Sequence, residues 1–263
     1  MCFEAMIPTS QGLPEFLAQT DYQVPHDDQK GLIQYGLRTD KSFFGVLQEN
    51  QRLGAAFNRF TTVYAQQRPR WVDFYPCEER LLYGMNASTG PLLVDVGGGL
   101  SGEIRAFHTK YPMAPGRLIL EDLPNTISQV VATDPPLPAA VEPVEQDLLT
   151  PQPLEYQHAR AYFRLLILHD WPEDKCRAIL SHLRNAMKLG YSEILINKNV
   201  LPGTAAPWQQ TSLVWTMMAM LASQERTRSQ WSQMLMAVGL KIVDIYSIDP
   251  TSESLIEATL PDK

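Results

Sequence analysis

Several residue types are scarce in this chain of 263 residues, and each scarcity excludes a class of protein. The three cysteines, Cys2, Cys77 and Cys176, are too few and too scattered for a disulfide framework or a zinc site. Lys and Arg number 22 against 29 Asp and Glu and form no cluster, which argues against a nucleic-acid partner. Apolar runs such as 165–168 and 215–222 are far shorter than the about 20 residues that span a bilayer. The N-terminus lacks a signal-peptide pattern, so we expect a cytoplasmic enzyme or binding domain with no metal and no membrane partner.

Residues 1–90 are predicted to form an N-terminal helical segment. Aromatic and aliphatic side chains recur there at helical spacing, and no long β-branched run interrupts them. The spacing predicts two amphipathic helices, one carrying Phe43, Phe44 and Leu47 and the next carrying Leu53, Phe57, Phe60 and Tyr64.

From residue 91 onward, apolar strands alternate with amphipathic helices. Strands are predicted at 91–96, 117–120, 141–145, 161–168, 193–201, 241–248 and 254–260. Helices are predicted at 101–111, after Pro124, and at 172–188, 208–221 and 227–238. Nearly continuous apolar strands joined by helices indicate a parallel sheet covered on both faces. Residues 91–263 are therefore predicted to be an α/β domain with a mostly parallel seven-stranded sheet and an antiparallel terminal strand.

The segment DVGGG, residues 95–99, follows the first predicted strand and precedes a helix. Glycines at such a turn let backbone amides approach a ligand closely, although a tight strand-to-helix turn needs glycine too. Acidic residues then end the next two strands, where a carboxylate can grip the two hydroxyls of a ribose. The candidate ligand residues at these strand ends are Asp95, Gly97, Gly99, Glu121, Asp122, Asp147 and Leu148.

A series of motifs along the chain carries a family resemblance. DVGGG, LILEDLP, DLLTPQP, HDWPEDKC, AMKLGYSEILIN, QERT and ESLIEA occur in this order. In this respect the chain, from about residue 13 to its C-terminus, resembles the plant and fungal caffeate-type O-methyltransferases, in particular fungal members of secondary metabolism. The resemblance implies a Rossmann-like fold that binds S-adenosylmethionine (SAM) and releases S-adenosylhomocysteine (SAH).

The resemblance also assigns roles to individual residues. Gly97 and Gly99 would pack against the methionyl part of SAM, Asp122 would bind its ribose, and Asp147 with Leu148 would border the adenine. Arg164 on the fourth strand is a further candidate for the cofactor site.

The chemistry would fall to His169 of HDW, which matches the family's general base. Glu225 of QERT and Glu257 of SLIEA match two glutamates that orient that histidine. A phenol ionises only near pH 10, so it needs a base near neutral pH, and a histidine held by a carboxylate suits that task. The methyl acceptor is expected to be a flat, apolar aromatic molecule, with Phe43, Trp208, Trp215 and Met218 as candidate contacts. Met217, Met218 and Met220 fit core packing as well as a pocket.

The sequence also departs from the family pattern. Most of the N-terminal winged-helix region that dimerises and covers the acceptor is missing here, so the usual dimer is expected to be weakened or lost, and a partner protein is a possible substitute. Ser101 stands where another glycine is usual, and its Cβ could crowd the cofactor. Val214 replaces an expected acidic residue. Arg164 lies five residues before His169, where a polar residue is expected four before it.

Three functions are consistent with these observations. Methyl transfer to a phenolic or enolic hydroxyl of a polyketide-type metabolite is favoured, because His169, Glu225 and Glu257 are all present. The alternatives are a member that does not methylate but catalyses a cyclisation, dehydration or pericyclic step, and a catalytically silent domain that binds a partner.

Overall fold

A computed structural model describes residues 2–66, 68–86, 90–165, 168–249 and 252–261. Its helices are α1 Ile7–Gln11, α2 Leu13–Gln19, α3 Leu32–Leu37, α4 Phe43–Glu49, α5 Gln51–Gln66, α6 Trp71–Phe74, α7 Gly102–Lys110, α8 Pro124–Val131, α9 Glu173–Ala186, α10 Trp208–Leu221 and α11 Arg228–Ala237. Its strands are β1 Leu93–Val96, β2 Leu118–Asp122, β3 Val141–Glu145, β4 Ala161–Leu165, β5 Glu193–Lys198, β6 Val200–Leu201, β7 Arg226–Thr227, β8 Lys241–Ser247 and β9 Ser254–Thr259. Short π-helical segments occupy Cys2–Met6 and Glu78–Leu82, and a 3-10 turn occupies Leu154–Tyr156.

The chain divides into two compact units. The helical unit comprises Met1–Arg68, Leu168–Cys176 and Leu201–Thr227, and the sheet unit comprises Pro69–Ile167, Arg177–Val200 and Arg228–Lys263. The division into a helical segment of residues 1–90 and an α/β domain of residues 91–263 stays a prediction. Among the described residues, no helix combines the length and apolar character needed to cross a bilayer.

The sheet unit is built on seven strands in the order β3-β2-β1-β4-β5-β9-β8. Strands β1 to β5 pair in parallel, while β9 pairs antiparallel with both β5 and β8. The mostly parallel sheet and its antiparallel terminal strand are thus confirmed. The order of strands reverses between β1 and β4, and ligands of open α/β sheets bind at the carboxyl ends of strands beside such a switch.

Burial explains which strands are central and which lie at the edges. Every residue of β1 and β5 is buried. This agrees with the prediction of parallel strands that are covered on both faces. Strand β3 alternates in burial and contains Pro143, which cannot donate to a sheet ladder and is tolerated at an edge. Strand β8, at the other edge, carries an irregularity in register between Ile242 and Asp244 that limits further pairing.

Aromatic side chains form the centre of the sheet unit's core. Trp71 of α6 stacks on Phe163 of β4 and on Phe107 of α7, with ring centroids 4.6 and 5.7 Å apart. Offset stacking of this kind adds to the hydrophobic gain of burying such large rings.

The helical unit has its own apolar clusters. Phe43 of α4 packs with Leu53 of α5 and with Met217 and Met220 of α10, and its ring meets that of Phe57 edge to face. The two predicted amphipathic helices correspond to α4 and α5. Phe43, Leu47, Leu53 and Phe57 belong to this core, whereas Phe44 and Phe60 are exposed and the side chain of Tyr64 lies outside the described residues.

Candidate active site

The loop after β1 leaves open space next to its backbone at one glycine. Gly97 and Gly99 have φ values of +67° and +55°, in the left-handed region that favours glycine. A Cβ on Gly98 would lie 2.7 Å from Cγ of buried Asp95 and would also overlap Leu120, so this residue is pressed against the core. A Cβ on Gly99 would meet no protein atom within 4 Å. The missing side chain of Gly99 therefore leaves room for a ligand at the loop.

Asp122, at the carboxyl end of β2, closes the other side of this loop. One carboxylate oxygen accepts a hydrogen bond from the amide of Gly99 at 2.9 Å, and the other accepts one from the amide of Leu123 at 2.8 Å. A carboxylate offers about four acceptor positions, so about two remain for ligand hydroxyls. Its neighbour Glu121 is buried instead and accepts a hydrogen bond from Gln152 at 2.9 Å. Asp122 thus contacts the glycine loop through its carboxylate, whereas Glu121 contacts it through its main-chain carbonyl, which accepts a hydrogen bond from the amide of Gly98 at 3.0 Å.

Ser101 occupies a strained position just before α7. Its φ is +67°, and its side chain is buried. The hydroxyl accepts a hydrogen bond from Arg105 Nε at 2.7 Å, and Arg105 also donates to the carbonyl of Pro136 at 2.8 Å. Compared with a glycine, Ser101 thus adds local backbone strain and gains a hydrogen bond from Arg105.

The remaining cofactor candidates lie on β3 and β4 or just beyond them. Asp147 is exposed and forms a turn, in which its carboxylate accepts from the amide of Leu149 at 2.9 Å, and Leu148 is half-buried. Parallel pairing of β1, β2 and β3 brings the carboxyl ends that precede these loops to one edge of the sheet. Arg164 pairs with Ile196 of β5, but its side chain is outside the described part of the chain.

His169, in the helical unit, lies beside two carboxylates. Its Nδ1 is hydrogen-bonded to Glu225, which is almost fully buried, and its Nε2 is 3.4 Å from Asp170 Oδ1. An ionised carboxylate can only accept, so Nδ1 donates in the bond to Glu225. Nε2 is the ring nitrogen that remains for proton exchange with a substrate. The predicted pairing of His169 with Glu225 is present. Asp170 was not predicted, although its position next to His169 in HDW was a signal for it.

Glu257 lies in a different cluster, at the amino end of the sheet. It is fully buried, forms an ion pair with Arg80, and lies 3.2 Å from the hydroxyls of Tyr75 and Tyr246. The same Tyr75 hydroxyl is 3.2 Å from Glu193, the first residue of β5. The described contacts of Glu257 thus lie at the amino end of the sheet, and its role in orienting His169 stays a prediction. Within the helical unit, the described carboxylates beside His169 are Glu225 and Asp170.

Burial raises the pKa of two members of this amino-end cluster. It raises the pKa of Glu193 to about 7 although Arg160 opposes the shift, and it raises that of Tyr75 above its usual range. The hydrogen bond to Glu257 raises the pKa of Arg80.

The predicted acceptor contacts differ widely in exposure. Phe43 is buried and packs in the core of the helical unit, and its role as a substrate contact stays a prediction. Trp208 is 73% exposed at the start of α10, while Trp215 and Met218 are half-buried. Within the described residues, no group of three His, Cys, Asp or Glu side chains is arranged to hold a metal ion.

Comparison with known proteins places the chain in a family. Residues 61–241 match the family model of the O-methyltransferase domain, and the chain belongs to this family. It is 37% identical over 258 residues to methyltransferase cfoC of Aspergillus candidus, covering 97% of this chain and 62% of that protein. It is 33% identical over 257 residues to the demethylsterigmatocystin 6-O-methyltransferase of Aspergillus parasiticus, covering 97% and 64%. The chain thus spans less than two thirds of the length of these curated relatives.

Two solved structures are similar over nearly the whole chain. One, described as a pericyclic reaction enzyme, has a TM-score of 0.89 at 30% identity, and the match covers 99% of this chain and 66% of that enzyme's chain. The other, LepI in complex with SAM, has a TM-score of 0.88 at 31% identity and covers 99% and 65%.

Proposed function

We propose that this chain acts as a SAM-dependent O-methyltransferase on a phenolic or enolic hydroxyl of a small aromatic, polyketide-type metabolite. The observation that carries the proposal is the His169–Glu225 pair, which leaves Nε2 of a buried imidazole able to accept a proton. The family of the chain, and the names of its relatives from Aspergillus, support the reaction class.

The residues of the glycine loop fit SAM. Gly99 leaves open space beside the loop backbone for the methionyl part, Gly97 is assigned to the same part of SAM, and Asp122 has acceptor positions for the ribose hydroxyls. Asp147 and Leu148 are assigned to the adenine end by their position after β3. SAM, when bound, supplies an electrophilic methyl group on a sulfonium, and SAH is the product.

The chain's own part in the reaction is proton removal and positioning. His169 Nε2 takes the proton of the acceptor hydroxyl, because a phenol with a pKa near 10 is a poor nucleophile until it ionises. Glu225 keeps the other ring proton on Nδ1 and stabilises the imidazolium that forms. Correct orientation of the acceptor oxygen supplies much of the remaining rate, since proximity is worth about 7–11 kcal/mol.

The test is SAH binding by calorimetry, followed by an acceptor screen that detects the mass gain of one methyl group. His169→Ala should abolish methyl transfer and leave SAH affinity nearly unchanged, while exposed His26→Ala serves as the matched control. Normal methyl transfer by His169→Ala would refute the assignment of the base. Absence of SAH binding in the unchanged protein would refute the proposal as a whole.

The alternative to methyl transfer is a cyclisation, dehydration or pericyclic step in the same pocket, and its motivation is the 30% identity to a solved pericyclic reaction enzyme. Tight SAH binding together with no methyl gain across the phenol panel would support that alternative.

A further inference from the structure

Two segments of the helical unit are joined by hydrogen bonds on both sides of His169. Ser223 Oγ donates to the carbonyl of Trp171 at 3.1 Å, and Arg226 Nη1 donates to the carbonyl of Leu168 at 3.1 Å. The His169–Glu225 hydrogen bond lies between these two contacts along both segments. The turn that carries the imidazole is therefore held before and after the histidine by the segment that carries its carboxylate.

Arg226 makes several contacts around this turn. Its side chain is almost fully buried, and Nη1 also approaches the carbonyl of Gln224 at 3.4 Å. Nη2 donates to Glu173 at 3.2 Å, at the first residue of α9. One planar guanidinium thus contacts the residue before His169, the residue before Glu225 and the helix that follows the turn. A rigid fork of donors fixes such distances better than a flexible ammonium does.

We propose that Arg226 is the positioning residue that keeps His169 and Glu225 in register, so that the proton stays on Nδ1 and the lone pair on Nε2. The catalytic consequence of this inference rests on the proposed function, in which His169 is the base. The register itself is a property of the chain that is measurable without an acceptor.

The experiment is NMR of the full chain labelled with ¹⁵N-histidine, saturated with SAH, with the His169 signals assigned by their loss in His169→Ala. The unchanged protein should show an Nδ1-protonated ring with a far-downfield Nδ1 proton. Arg226→Met should lose that proton signal and give mixed tautomers, and Arg226→Lys should restore it only in part, because lysine retains the charge but not the fork. Arg117→Met is the control, since it removes an exposed arginine that makes bonds of 2.8 and 2.6 Å to Glu142 in the sheet unit.

The outcomes separate this inference from the proposed function. A folded Arg226→Met that binds SAH and keeps both the tautomer and the downfield proton would overturn the positioning role. If Arg226→Met does not fold, Arg226→Lys decides: loss or weakening of the signal supports the role, and an unchanged signal overturns it. With an acceptor found, kcat should fall about 100-fold with little change in KM, the size expected for a misplaced reacting group. If Arg226→Met loses the Nδ1 proton signal and the unchanged protein transfers no methyl group, the role of His169 as a base is refuted. The positioning role of Arg226 then still stands.

Discussion

Gly98→Ala should destabilise the sheet unit because the loop has no space for a methyl group at this glycine. The added Cβ would lie 2.7 Å from both Cγ and Oδ2 of Asp95 and would overlap Cδ1 of Leu120. Asp95 and Leu120 are both fully buried on neighbouring strands, and their paired backbone positions leave them little freedom to withdraw. The methyl group must therefore displace the loop or a core side chain.

The expected loss follows from the energetics of overpacking. Forcing an extra methyl group into a packed core costs about 1–3 kcal/mol. For a chain of this size each kcal/mol lowers Tm by about 2–4 °C, so the midpoint should fall by about 2–12 °C. Urea unfolding followed by circular dichroism gives the free energy of unfolding, and calorimetry gives SAH affinity, which should fall as the loop shifts.

Gly203→Ala is the matched control, because a Cβ at that glycine meets no atom within 4 Å and its φ is not positive. It should leave stability unchanged or raise it by about 0.4–1 kcal/mol through the unfolded state. If Gly98→Ala were as stable as Gly203→Ala and bound SAH normally, the close packing of the loop against Asp95 and Leu120 would be refuted.

Two further predictions use the same unfolding assay. Ser101→Ala keeps the left-handed backbone and loses the bond to Arg105, so it should cost about 1 kcal/mol. Ser101→Gly loses the same bond but relieves about 1–2 kcal/mol of strain, so equal stability of the two variants would contradict the strain argument. Glu193 has a pKa of about 7 in the fold against an ordinary 4.5, so the folded state binds the extra proton and stability falls as pH rises through that interval. Relative to the unchanged protein, Glu193→Gln should gain up to about 3 kcal/mol from pH 4 to pH 8, and a difference that is independent of pH would count against the shift.

The sequence predicted the sheet well because hydrophobic periodicity, and the Gly and Pro residues that end helices and strands, are local signals. The weak strand at 141–145 and the helix at 208–221 have the predicted bounds. The predicted strand at 193–201 instead divides into β5 and β6, since only Glu193–Lys198 continues the ladder of the main sheet. Local patterns cannot show where a strand leaves its neighbour, because that depends on pairing across the chain.

Side-chain direction at the site was predictable only where a motif fixes the backbone. The carboxylate of Asp122 bonds to the glycine loop and that of Glu121 bonds to Gln152, because successive strand residues point their side chains to opposite faces of the sheet. The sequence EDLP carries both acids and gives no sign of which one faces the loop. The part played by Arg226 was missed for a related reason: its partners Leu168 and Glu173 are more than fifty residues away along the chain.

The placement of Glu257 shows how strand register sets the position of a side chain along the sheet. Strand β9 runs antiparallel to β5, so residues later in β9 lie nearer to the amino end of β5. Glu257 pairs with Leu195, whereas the carboxyl end of β5, at Lys198, pairs with Ser254. A carboxylate three positions earlier in the motif would therefore lie at the carboxyl edge, where ligands of such sheets bind. At its actual position, Glu257 instead compensates the charge of Arg80 in a buried cluster whose acidic member Glu193 already resists ionisation. A motif match identified the residue type, but only the register shows which end of the sheet it serves.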